Sequence, residues 1–195
     1  MVSPGAPPAS TVILQTEDPW LPAVGIFPTF LVAFATLLFA CERHPIAGVW
    51  FADAVVVALL LQMRPRDRWK ALAAGVSGLV WARLMVGCPL LTASVFSAIN
   101  GLEILVCSSL ISLTTRNAFD PARPAHWLSF LAVAGVAAPV SAALLAGWFL
   151  SAARGAPFVP SVGSWYAGDA IGLVVATPML VMMGQGMLQR WRRAG

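Results

Sequence analysis

Asp53, Arg83, Asn100, Glu103 and Asp169 are the residues of this chain best equipped for chemistry, and all five sit inside apolar runs. An ionisable side chain at the centre of a bilayer costs roughly 3 kcal/mol on insertion scales, so it faces protein, water or a partner charge rather than lipid. Asn100 and Glu103 are three residues apart and share one face of a helix. Asp53 and Asp169 each follow a tryptophan, Trp50 and Trp165, by about one helical turn. Acids set against a single arginine favour a cation, a proton or a polar neutral ligand. Two like-charged carboxyls held together also resist full ionisation, which suits a proton-linked switch.

Covalent chemistry finds no support. The chain has no nucleophile elbow, phosphate loop, haem motif or paired-histidine metal pattern. His44 and His126 have no partner at ligand spacing, and Cys41, Cys88 and Cys107 form no C-x-x-C. A Cys41–Cys88 disulfide would need both residues on an oxidising side of a membrane; otherwise the cysteines act as small membrane residues. The expectation is a non-enzyme with no cofactor and no metal.

The elements that must position these residues follow from composition. Hydrophobic residues make up 59% and charged residues 10% of the chain, against about a quarter charged in a soluble domain. The expected fold class is therefore all-α, a polytopic bundle of about six transmembrane helices. The runs are 21–41, 46–63, 71–86, 90–113, 127–151 and 164–188, separated by polar or Pro/Gly-rich breaks at 42–45, 64–70, 87–89, 114–126 and 152–163. Residues 1–20 lack the pattern of a signal peptide and read as a loose tail; 21–188 read as the bundle and 189–195 as a basic tail. Pro139 and Pro178 are expected to kink their helices. Gly168 and Gly172 form a G-x-x-x-G that predicts close packing on a neighbour. Trp50-Phe-Ala-Asp53 and Trp165-Tyr-Ala-Gly-Asp169 open two helices alike, a faint internal repeat.

Orientation follows from Lys and Arg. With both termini cytoplasmic, that side holds Arg64, Arg66, Arg68, Lys70, Arg116, Arg123, Arg190, Arg192 and Arg193; the far side holds only Arg43 and Arg154. The net charge of +4 is thus explained by topology and not by nucleic acid. Trp20, Trp69, Trp127 and Trp191 fall at the cytoplasmic helix ends, and Trp50, Trp148 and Trp165 at the outer ends.

At ~1.5 Å per residue, Asp53, Arg83 and Asp169 share one level, a turn below the outer ends of their helices. Asn100 and Glu103 lie deeper. One arrangement is an outward-facing polar pocket with Glu103 as its floor and Trp50 and Trp165 at its mouth. The other is structural: Arg83 pairs with an acid or snorkels, and Asp53 and Asp169 cap helix N-termini.

Trp165-Tyr-Ala-Gly-Asp-Ala-Ile-Gly followed by Ala176-Thr-Pro-Met-Leu180 resembles the closing helix of bacterial membrane-associated sensor domains of the MASE type, first class. Trp50-Phe-Ala-Asp-Ala resembles that family's Trp-Pro-Ala-Asn-Gly stretch, with Phe51, Asp53 and Ala54 as departures. Asn100-Gly-Leu-Glu103 resembles its Asn-x-x-Glu helix. The resemblance covers about residues 20–185. It implies a multi-pass sensory module of the bacterial inner membrane, ordinarily joined to a signalling output domain, with Trp50, Asp53, Asn100, Glu103, Trp165 and Asp169 as sensing residues. Arg83 is added on depth alone. The chain ends at Gly195, and the family often has about eight helices. The partners implied are the lipid bilayer, an output protein and a second copy of the chain. The alternative is a non-catalytic accessory subunit docked onto a larger membrane complex.

Overall fold

A computed structural model describes residues 21–43, 49–116, 119–121 and 123–194, with side chains of 21–25, 39–43 and 186–194 outside the description. The N-terminal tail, the break at His44-Pro45, Trp20, Trp191, the side chain of Cys41 and the C-terminal arginine side chains lie outside the described residues.

Six helices make up the described chain: α1 Leu21–Arg43, α2 Ala52–Gln62, α3 Arg68–Met85, α4 Leu90–Thr114, α5 Pro124–Arg154 and α6 Phe158–Ala194. No strand occurs among the described residues. The all-α bundle therefore stands. Three helices, Leu90–Thr114, Pro124–Arg154 and Phe158–Gln185, are long and apolar enough to cross a membrane. Two other expected spans fall short, each for its own reason. α2 has 11 residues, about 16 Å at 1.5 Å per residue. α3 carries Arg68, Lys70 and Arg83.

Two boundaries differ from the reading of the sequence by six residues, and both move the site. α2 starts at Ala52 rather than Ile46, because Trp50 spends its backbone N–H on the Gly168 carbonyl of α6 at 3.1 Å. α6 starts at Phe158 rather than Ser164, so the expected loop 152–163 shrinks to the turn at 155–157. Gly155 closes α5 in the left-handed region, φ 65°, where glycine carries no Cβ penalty. Pro160 falls in the first turn of α6, where its missing N–H costs nothing.

α5 is one helix with a defect in it. Pro124–Ala132 is α-helical, Val133–Ala137 is π-helical and Ala138–Arg154 is α-helical again. Pro139 stands just after the π turn. The expected irregularity at Pro139 thus takes the form of a π segment. α6 runs through Pro178 as a single helix.

α2 lies at the centre, packed on α6, α4, α1 and α3. Its Val56, Val57 and Leu60 meet Leu79 of α3, Ile104 and Ile111 of α4, Phe130 of α5 and Leu173 of α6 in one buried cluster. Helices in lipid gain little from apolar burial as such, so close packing has to hold them together. The G-x-x-x-G of α6 meets that need: a Cβ on Gly172 would strike the Trp50 carbonyl oxygen. Further along, a Cβ on Gly184 would strike Gln62 at the other end of α2. α2 and α6 therefore run side by side in the same direction.

The two ends of the bundle are distinct. At one, Arg154 of α5 donates to the Thr92 hydroxyl of α4 at 3.4 Å, one helical turn before Phe96, whose ring faces Arg83. At the other, Arg68 donates to Ser112 of α4 at 2.7 Å and to the Met63 carbonyl at 3.3 Å. Arg66 and Lys70 flank Asp67 at that same end, at 3.3 and 3.5 Å. Arg83 and Arg68 thus mark opposite ends of α3.

Candidate functional site

Four helices bring the five polar residues together between α2 and α6. Asp53 is in the first turn of α2, where the helix dipole favours a carboxylate. Its Oδ1 accepts two bonds, from Trp50 Nε1 at 2.9 Å and from Asn100 Nδ2 of α4 at 3.0 Å. Glu103, one turn along α4 from Asn100, lies within hydrogen-bonding reach of both Asp53 and Asp169. Asp169 of α6 closes the set from the opposite wall. Asp53 and Glu103 are 0% exposed, and Asn100, Asp169 and Arg83 no more than 7%.

Arg83 is held by rings. Its guanidinium carbon stands 5.0 Å from the centre of the Trp50 ring and 5.6 Å from that of Phe96. Both distances suit cation–π attraction, which strengthens when the cation is desolvated. No carboxylate of the described residues approaches Arg83 within 4.0 Å, although Asp53 and Asp169 both act on its charge. The staple expected between Arg83 and an acid is therefore a longer-range attraction across the cluster. Phe96 also packs on Trp165 with ring centres 5.0 Å apart.

Several buried polar atoms have no hydrogen-bond partner among the described residues: Asp53 Oδ2, Arg83 Nε, Asn100 Oδ1, both Glu103 oxygens, Trp165 Nε1 and Asp169 Oδ2. Buried polar groups are ordinarily paired, and each exception calls for an explanation. The Trp165 indole lies beside Asp169 without meeting hydrogen-bond geometry. Carboxylates only accept, so three of them cannot satisfy one another. A proton on one of them changes that, because a carboxylic acid donates.

Every residue singled out from the sequence reaches this cluster, yet three placements change. Asn100, expected below the aspartates, bonds Asp53 directly, and Glu103, one turn along α4, lies beside both aspartates. The late start of α2 and the early start of α6 bring the levels together. Asp169 stands three turns into α6 and does not cap its N-terminus. Trp50 does not flank a mouth; it is a buried wall that binds Asp53 and faces Arg83. Trp165 is partly buried, and Trp81 and Trp148 are exposed on the outer face of the bundle.

Two participants escape a reading of the sequence. Phe96 is one, an unremarkable apolar residue until Arg83 is placed beside it. Tyr166 is the other: its hydroxyl donates to the Gly135 carbonyl of α5 at 2.9 Å. Its signal is indirect, since Pro139 four residues after Gly135 marks a carbonyl without an α-register donor. Cys88 and Cys107 are free thiols, and Cys107 lies buried one turn from Glu103. Among the described residues no three His, Cys, Asp or Glu side chains are placed to hold a metal ion.

A family model, MASE1, matches residues 21–195. No curated protein and no solved structure matches the chain.

Proposed function

The chain belongs to the MASE1 family of membrane-associated sensor domains, and from that premise we propose that it senses protonation through the Asp53–Glu103–Asp169 cluster. The observation that carries the reading is Glu103, fully buried between two aspartates with neither oxygen given a donor. A buried carboxylate without hydrogen bonds loses several kcal/mol of hydration. A single proton on Glu103 supplies the missing donor and leaves two negative charges against Arg83. A proton also needs no room, which fits a group whose polar atoms are shut away from solvent.

Release of that proton sets three carboxylates around one guanidinium. The repulsion is relieved when Asp169 moves, and Asp169 rides on α6. α6 has 37 residues, about 55 Å at 1.5 Å per residue, against a hydrocarbon core of about 30 Å. It therefore carries a displacement out of the bilayer. Each pH unit supplies about 1.4 kcal/mol of bias for one titrating group, enough to shift a two-state helix whose states differ by that amount. The excess of arginine and lysine at the Arg68 end supports a reading in which that end faces the cytoplasm across a bacterial inner membrane. A small polar ligand entering the same cluster from the outer side would act through the same helix.

Spin labels at Leu113 on α4 and Met183 on α6, both exposed, report the response in lipid nanodiscs. Their separation should change between acid and alkaline buffer in the wild-type chain and stay fixed in Glu103→Gln. An unchanged wild-type distance counts against the reading. A second reading is an accessory subunit: α6 turns Ile171, Val175, Met179 and Met182 outward along one stripe, a surface that lipid or another membrane protein covers. A stoichiometric partner retained through purification in mild detergent would favour it.

A further inference from the structure

An α-helix bonds each carbonyl to the N–H four residues later. For Gly135 the α-register partner would be Pro139, which has no N–H, so only the π register, through Val140, offers it a donor from its own helix. The same proline follows the π-helical turn Val133–Ala137, which widens the helix just where the proline ring would press on the preceding turn. The Gly135 carbonyl is thereby turned toward α6, where the Tyr166 hydroxyl donates to it at 2.9 Å. Gly135 also faces Val174 of α6 at an ordinary packing distance, 3.5 Å from the position of a Cβ. Tyr166 is the only tyrosine of the chain and stands three residues before Asp169.

We propose that Tyr166 is a positioning residue: its bond to the Gly135 carbonyl, which Pro139 denies an α-register donor, latches α6 to the π turn of α5 and sets the depth at which Asp169 meets Glu103. The proposal rests on the protonation reading of that cluster, but the latch itself does not. Among the described residues the latch is the one side-chain hydrogen bond between α5 and α6. α6 is otherwise held against α5 by small and apolar side chains, among them Gly147 against Val162, which tolerate sliding. A helix meant to shift needs one specific bond that defines its resting register, and the Tyr166–Gly135 bond has that character. The groups it serves are Asp169 on its own helix, Asp53 on α2, Arg83 on α3, and Glu103 and Cys107 on α4.

The test pairs Tyr166→Phe, which keeps the ring, with Pro139→Ala, which restores an N–H within reach of Gly135. Two quantities are read in lipid nanodiscs: the pH midpoint of the infrared band of the protonated carboxyl, and deuterium exchange of the α5 amides after the π turn. Tyr166→Phe alone should move the midpoint by an amount equal to about a threefold change in proton affinity and speed the exchange about tenfold, the scale of one lost hydrogen bond. In the Pro139→Ala background the same change should do neither, because the carbonyl has its α-register donor back. Equal effects in both backgrounds, or no midpoint shift in a protein that titrates, overturn the positioning role. If the wild-type band does not titrate at all, the protonation reading falls. The latch is then judged on exchange alone: faster exchange only when Pro139 is present upholds it, and background-independent exchange overturns it.

Discussion

Trp50 with Asp53 and Trp165 with Asp169 place the same two side chains about one helical turn apart on two helices that run in parallel. The first pair is closed. Asp53 Oδ1 receives both the Trp50 indole and the Asn100 amide, and the Trp50 backbone is tied to Gly168. The second pair is open: the Trp165 N–H is buried with no acceptor among the described residues, where the Trp50 N–H has one, although Oδ2 of both aspartates is without a partner there. Glu103 stands between them. The difference divides the labour of the cluster. The Asp53 half is a fixed reference held by donors, and the Asp169 half is the side left able to respond. Like-looking sequence therefore does unlike work, because the third member of each pair comes from another helix.

The contact that joins the halves should give the largest effect when broken. Gly172→Ala places a methyl group on the Trp50 carbonyl, and neither backbone can yield. We expect a loss of about 3 kcal/mol or more, at the upper end of overpacking, measured by reversible unfolding in mixed micelles. Asp53→Ala comes next. It strips two buried N–H donors of their acceptor at once, with an expected loss of about 2–3 kcal/mol. Trp50→Phe removes one charge-assisted bond and should cost about 1.5 kcal/mol; Trp165→Phe, which removes an unbonded N–H, should cost less than a third of that. Asp169→Asn should also be small in stability, within about 1 kcal/mol, while abolishing the pH-dependent movement of α6. If Asp169→Asn destabilises the fold as much as Asp53→Ala, the two halves are equivalent and the proposed division is wrong.

Much of the fold is legible in the chain because lipid imposes long apolar runs, and charges within them stand out. Asp53, Glu103 and Asp169 are conspicuous for that reason, and their meeting follows once three helices are aligned. What the runs conceal is where helices begin. Val49-Trp50-Phe51 is as apolar as the helix it precedes, and only the carbonyl of Gly168, more than a hundred residues away, withdraws Trp50 from it. The stretch 152–163 has the composition of a loop, yet Pro157 and Pro160 are compatible with a helix start and α6 begins between them. Local composition cannot report bonds to distant partners, and these two boundaries set the level of every acid in the site. The ring contacts around Arg83 are hidden for the same reason: Phe96 and Trp50 carry no mark of facing a cation until α3 is laid against both.

The most direct test is infrared difference spectroscopy of the chain in nanodiscs across a pH step, in the wild type and in Glu103→Gln. A buried carboxylic acid has a C=O stretch resolved from that of a carboxylate. A protonated-carboxyl band that disappears as pH rises in the wild type and is absent in Glu103→Gln is the result expected of a proton held between Asp53 and Asp169. A wild-type spectrum with no titrating carboxyl band, or one that Glu103→Gln leaves intact, would contradict it.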